Sequence, residues 1–412
     1  MRFKNLSSKI RSGLYHHRAV GEFQGLRLHL RVEEDGSGIL IINGSRMLFL
    51  NRTATEHIHL FLHGMTEDAA VKEIQRKFKV DRETARKDHR DILFTINTFA
   101  KTADVDPVSY LGVEKIEPFE KELSAPYRME LAVTYRCDTN CFIRGSHVMN
   151  ELGLNEWCKI MDKLYTIGVP HVIFTGGEPT LRDELSKLID YSQKRDLVSG
   201  LVTNGRKLKD ATYLNSLITA GLDHIQITIE SHDEKIHDKI TGVEGSWRDT
   251  LQGLKNAIET PIYTITVTTL TQINIREITQ TIEFLHNLGL KQFACRSLPY
   301  FEETPNNIKE FALDEKSLTP ILTRIAHYCE SIGMDFSYYT PQNQILKSSE
   351  LEQGIIDSKT CWTNLFIEPD GTVIPFQNYL TPLGNLLTDD WKKIWNHPIC
   401  IELRNRSDLR NH

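Results

Sequence analysis

Between residues 26 and 33 the chain alternates, with Leu26, Leu28, Leu30 and Val32 set between Arg27, His29, Arg31 and Glu33. A period of two is the pattern of a strand with one buried face. Asp35-Gly36 then turns the chain into an apolar run at 39–42, and Asn43-Gly44 turns it again into 47–50. These are hairpin signals, and they predict a three-stranded meander. The period then changes to a helical one at 53–63, 67–78 and 82–100, with Thr66 and Asp81 as N-cap candidates. Three short strands followed by three helices predict a small, winged-helix-like α+β domain over residues 20–102.

From residue 127 strands and helices alternate. Strands are predicted at 129–135, 171–175, 198–203, 224–230, 263–270 and 291–298. Among the helices between them, 154–167 stops at Gly168, and 181–194 sets Leu181, Leu185, Leu188 and Ile189 on one face. Six βα units of this length predict an α/β fold, a parallel sheet rolled into a partial (β/α)6 to (β/α)8 barrel over 127–335. The functional loops of such a barrel lie at the C-terminal strand ends. Residues 1–19 read as a flexible basic N-terminus carrying Arg2, Lys4, Lys9, Arg11 and Arg18. Residues 103–126 read as a linker with Pro107, Pro118 and Pro126, and 336–412 as a less regular extension.

Composition narrows the classes. The 412 residues are 40% hydrophobic and 25% charged, which excludes a disordered or fibrous chain. A net charge of −6 gives no general attraction to nucleic acid or anionic membrane. No apolar run approaches the roughly 20 residues of a membrane span, and no signal-peptide core follows the basic start. A cytoplasmic protein with no nucleic-acid or membrane partner is expected. Seven cysteines, an odd and scattered set, do not make a disulfide framework. Only Cys137 and Cys141 are close enough in sequence to share chemistry.

That pair lies in Cys137-Asp-Thr-Asn-Cys141-Phe-Ile-Arg144, directly after the first barrel strand. Two cysteines four apart are compatible with chance, or with a loop of soft thiolates around an iron–sulfur cluster. The downstream strand ends bear on the choice. Strand 171–175 runs into Gly176-Gly177-Glu178-Pro179, strand 198–203 into Thr203-Asn204-Gly205, and strand 224–230 ends in Glu230. Paired glycines let backbone approach a ligand closely, and polar groups from four successive strands converge on one rim.

Over 128–300 this arrangement resembles the radical S-adenosylmethionine (SAM) superfamily. The resemblance implies a CxxxCxΦC loop holding three irons of a [4Fe–4S] cluster. SAM then binds the fourth iron and is cleaved reductively to a 5′-deoxyadenosyl radical. It assigns Cys137 and Cys141 as metal ligands and matches Gly176, Gly177 and Glu178 to the motif that binds the methionyl amino group. Thr203, Asn204 and Glu230 fall where strand-end residues contact SAM, and Ile143 where the apolar residue precedes the third cysteine. Here the chain departs from the pattern: position 144 is Arg144, no cysteine lies between 142 and 157, and an arginine cannot ligate iron. His147 is the nearest substitute, at a spacing unlike the family's.

The segment from Cys361 to His397, with Pro369-Asp370-Gly371 and Ile394-Trp395-Asn396, resembles the SPASM extension of peptide-modifying radical SAM enzymes, which carries auxiliary clusters. Cys361 is retained and reads as a packed thiol. Phe376 stands at the next ligand position, and the sequence closes before a cysteine-rich tail, so the extension reads as truncated. Residues 20–102 resemble a PqqD-like domain through the Asn43-Gly44 hairpin, the Leu48-Phe49-Leu50-Asn51 strand end and the helices after it. Such a domain takes a leader peptide as an added strand on a sheet edge, here 26–33 or 46–50.

The rival reading of 20–102 is a winged-helix DNA binder. Lys72, Arg76, Lys77, Lys79, Arg82, Arg86 and Lys87 are offset by acidic residues from Glu67 to Asp91. His57, His59 and His63 read as packed or solvated rather than metal-binding. The expected function is a radical SAM oxidoreductase modifying a ribosomally made peptide held through its leader. The alternative is a catalytically inactive relative that acts as a peptide-binding partner of another maturation enzyme or as a scaffold.

Overall fold

The computed structural model describes residues 10–18, 27–42, 46–101, 123–139, 150–298, 311–339, 345–347, 361, 363–377, 379 and 381–405. The chain divides into two compact units, one of residues 1–125 with 163–170, the other of 126–162 with 171–412.

The first unit holds an antiparallel sheet in the order β1 (Gly13–Arg18), β2 (Arg27–Val32), β3 (Gly38–Ile42) and β4 (Arg46–Leu50). The pattern of the sequence predicts three of these strands; the fourth, β1, lies within the stretch expected to be a flexible arm and pairs with β2 from Gly13↔Val32 to Arg18↔Arg27. Two consequences correct the sequence reading. β2 is flanked by β1 and β3, so the edge expected at 26–33 is occupied and β4 is left as the meander's open edge. The polar side of β2 is also covered: Arg31 is 1% exposed, paired with Glu33 at 2.8 Å and donating to the Ala125 carbonyl at 2.9 Å.

Helices α1 (Arg52–Leu62), α2 (Glu67–Lys77) and α3 (Arg82–Lys101) follow. Asn51 caps α1 by accepting from the Ala54 amide, as a short polar side chain does at an N-cap. Ile58 and Leu62 of α1 and Ile96 of α3 close over Leu28, Leu30, Leu40 and Ile42 of the sheet. Each such buried aliphatic contributes roughly 1.5–3 kcal/mol.

The second unit is built on β5 (Arg128–Thr134), β6 (His171–Gly176), β7 (Val198–Thr203), β8 (His224–Thr228), β9 (Tyr263–Leu270), β10 (Gln292–Ser297) and β11 (Asp335–Tyr339). All seven are parallel and adjacent in chain order. The sheet continues past β5 through β13 (Asn364–Ile367), also parallel, to the antiparallel β14 (Thr372–Ile374) and β15 (Gly384–Asn385). At its other end β12 (Ile345–Lys347) lies antiparallel to β11. The order is open at both ends, which makes the predicted partial barrel. Strands β11 and β13 lie beyond the six predicted from the sequence.

The helices between the strands include α4 (Leu154–Ile167), α5 (Leu185–Lys194), α6 (Ala211–Thr219), α7 (Glu234–Thr241) and α8 (Ser246–Ile258). Strands such as β6, with Val172 and Phe174 fully buried, carry the apolar runs of a sheet covered on both sides. Among the described residues no helix is long and apolar enough to cross a membrane.

Candidate functional site

The C-terminal ends of β5 to β8 and of β10 line one cavity, with Cys137, Thr175, Gly176, Gly177, Thr203, Asn204, Arg206, Glu230, His237 and Arg296 on its wall, among others. It is the rim on which the sequence motifs were expected to converge, and seven of the eight residues singled out have a described position. Cys141 lies outside the described residues, with Arg144 and His147.

The strap Gly176-Gly177 runs so close to the exit of β5 that side chains do not fit. A Cβ on Gly176, whose φ is +129°, would lie 2.1 Å from the Thr134 carbonyl oxygen, and one on Gly177 2.4 Å from that of Arg136. The Gly177 and Glu178 amides donate to the Thr134 and Arg136 carbonyls, both at 2.8 Å. Buried Arg182 donates to Val133 O and Leu152 O, both at 2.6 Å, pinning the chain on either side of the cysteine loop.

Glu178 is placed differently from the expectation of a cofactor-facing carboxylate. It is 1% exposed and absent from the cavity wall. Its Oε1 accepts from the Thr180 amide and hydroxyl and from the Thr203 hydroxyl, and Oε2 from the Asn204 amide, at 2.5–3.0 Å. The carboxylate ties the turn after β6 to the end of β7. Burial pushes its pKa up to about 7, against the pull of those four donors. Thr203 spends its hydroxyl proton on this clamp, and Asn204 spends its side-chain amide on Asp138 at 2.7 Å. Both line the cavity while holding its wall together.

Glu230 accepts from the Thr269 amide at 2.7 Å and the Thr269 hydroxyl at 3.0 Å. Burial raises its pKa, and the facing Arg296 guanidinium opposes that rise. Cys137 is half-buried, with Sγ 3.2 Å from the Thr139 hydroxyl. Asp138 beside it accepts from Arg206 at 2.9 Å, and Arg206 reaches Asp249 at 3.3 Å. The first half of the cysteine loop is thus held by the protein's own charges.

Arg206, His237 and Arg296 escape sequence reasoning. Arg206 follows Asn204-Gly205 by one residue and could have been found by extending that motif. Arg296 ends the sixth strand, one the rim argument did not reach. His237 lies mid-helix and carries no local signal. Among the cysteines outside the loop, Cys295, Cys329, Cys361 and Cys400 are buried as expected of packed thiols, and the Cys361 and Cys400 side chains, 39 residues apart in sequence, meet in the core of the extension. His57 and His89 are likewise paired, Nδ1 to Nδ1 at 3.1 Å, within the first unit.

The cavity suits a polar ligand. Its wall offers hydroxyls, carboxylates and guanidinium groups, and two buried donors on it, His237 Nε2 and Arg206 Nε, have no partner among the described residues. The loop sequence carries two cysteines, Cys137 and Cys141, with Arg144 where the family resemblance implies a third. Among the described residues no group of three or more His, Cys, Asp or Glu is arranged to hold a metal.

Comparison with known proteins agrees with the rim. Residues 134–285 match the radical SAM superfamily, and residues 360–412 match SPASM, an iron–sulfur cluster-binding domain. A PqqA peptide cyclase from Bradyrhizobium diazoefficiens is 26% identical over 194 residues, 46% of this chain and 51% of that protein. A probable GTP 3′,8-cyclase from Methanopyrus kandleri is 32% identical over 169 residues, 40% and 54% of the two chains. The chain therefore spans about half the length of these curated relatives. Among solved structures, Streptococcus suis SuiB bound to S-adenosylmethionine has a TM-score of 0.64 at 16% identity, over 92% of this chain and 89% of that one. SuiB bound to its precursor peptide SuiA gives 0.59 at 14% identity, over 91% and 88%. At such identities the likeness is one of fold.

Proposed function

We propose, from the premise that residues 134–285 are a radical SAM domain and residues 360–412 a SPASM domain, that this chain binds SAM at the strand-end cavity and serves the modification of a ribosomally made peptide. SAM and [4Fe–4S] clusters are the cofactors of these domains; bound together they supply reductive cleavage of SAM. The convergence of Gly176, Gly177, Thr203, Asn204 and Glu230 on one cavity carries the reading. The chain's own part is positional. Gly176 and Gly177 keep the wall thin, Glu178 fixes the β6 and β7 ends together, and Glu230 and Arg296 meet at the Thr269 hydroxyl.

The peptide would enter through the first unit. Among the described residues β4 pairs with β3 alone, and its other edge can take an extended leader as an added strand. Within the basic stretch of the DNA reading, Arg82 and Arg86 pair with Asp68, Arg76 with Glu73 and Lys77 with Glu56. The likeness to SuiB, solved with a precursor peptide, supports the same direction.

Arg144 favours a second reading, in which the chain binds SAM and peptide as the partner of another maturation enzyme and cleaves no SAM itself. Anaerobic reconstitution with iron and sulfide followed by assay for 5′-deoxyadenosine separates the two. Turnover by the parent protein supports the enzyme. SAM binding without turnover supports the partner, and absence of SAM binding contradicts both.

A further inference from the structure

Helix α7 brings His237 to the cavity wall just below Glu230. The helix is held by Asp238, which accepts from the Gly245 amide, the Ser246 hydroxyl and the Trp247 amide at 2.6–2.8 Å and so locks the turn into α8. The His237 side chain is 1% exposed. Its Nδ1 lies 3.1 Å from the Glu230 amide nitrogen, and an amide can only donate, so Nδ1 carries a lone pair. Burial holds the ring's pKa down to about 4, so the imidazole is neutral near pH 7. A neutral ring with a bare Nδ1 has its proton on Nε2. That N–H has no acceptor among the described residues. A buried donor without an acceptor is costly, and natural sites retain one where a ligand completes it.

We propose that His237 donates its Nε2–H to an acceptor atom of SAM bound in the cavity. The residue thereby links the ligand to the backbone at Glu230. This rests on the SAM reading of the cavity and adds to it a contact that the motif residues do not make.

The test uses the full chain. In His237→Asn the side-chain oxygen replaces Nδ1 as acceptor for the Glu230 amide, while nothing reaches the Nε2 position. Equilibrium dialysis with SAM should show roughly tenfold weaker binding than the parent, the usual effect of losing one hydrogen bond to a ligand. Equal affinity in parent and variant overturns the contact and leaves the site reading standing; a parent that binds no SAM overturns both. Nitrogen-15 spectra of histidine-labelled parent protein give a second readout independent of the variant's folding. The His237 signal should be that of the Nε2–H form and should shift when SAM is added. An Nδ1–H form, or a signal unmoved by saturating SAM, overturns the proposal.

Discussion

Glu178 is a carboxylate whose lone pairs are committed to Thr180, Thr203 and Asn204 inside the wall. With its folded pKa raised to about 7, it holds a proton that the unfolded chain has already released. Its contribution to stability therefore falls as pH rises from the ordinary carboxylate range to about 7 and is level above, a change on the order of 3 kcal/mol. Glu178→Gln lacks this titration. The stability gap between parent and variant, read from urea midpoints, should shrink between about pH 5 and about pH 7.5; a constant gap would show that Glu178 does not titrate there. Gly177 makes a steric prediction. Gly177→Ala should destabilise by about 1–3 kcal/mol, because its Cβ meets Arg136 O at 2.4 Å, whereas Gly153→Ala meets nothing closer than 3.5 Å and should leave the melting temperature near the parent's. At this scale the glycines were legible, since a paired glycine at a strand end means close approach. The direction of Glu178 was not: a carboxylate beside a site looks alike in sequence whether it faces the ligand or the wall. His237 was invisible because its partner, the Glu230 amide, is found only in three dimensions.

The elements were legible where periodicity is strong. The six predicted barrel strands fall within two residues of their observed ends, because apolar runs of five to eight residues between helical patterns have few other homes. β1, with the sequence Gly-Leu-Tyr-His-His-Arg, lacks that contrast, and it changes which edge is open. The consequence is measurable by hydrogen exchange on the full chain. Amides of β2 and β3, paired on both sides, should exchange slowly, and those of β4 that face away from β3 should exchange fast. Leader-like extended peptides should slow the β4 amides and leave β2 unchanged. Protection elsewhere with β4 unaffected would remove the strand-addition account. Leu28→Pro should unfold the first unit, since it removes a donor from a strand bonded on both sides. The ion pairs between α2 and α3 make a parallel forecast. Random duplex DNA should show no binding that weakens steeply between about 50 and about 200 mM salt, the behaviour that free phosphate-binding arginines would produce.

At the scale of the whole molecule, the cavity wall, the strap and the charge network around Asp138 are assembled, while the sequence places Arg144 where the proposed site calls for a third cysteine. Arg144 and the rim residues are both written in the sequence; what the sequence alone does not show is that Glu178, Arg182 and Arg206 tie the strand ends of the rim together. The site should therefore accept a cluster once the missing ligand is restored. The decisive measurement compares parent and Arg144→Cys after anaerobic reconstitution, counting iron and sulfide per chain and 5′-deoxyadenosine formed from SAM under reduction. Arg144→Cys should hold more iron than the parent, show the thiolate-to-iron absorption near ~400 nm, and cleave SAM faster. A variant that folds and binds SAM as the parent does, yet gains neither iron nor cleavage, would contradict the account of this cavity as a radical SAM site.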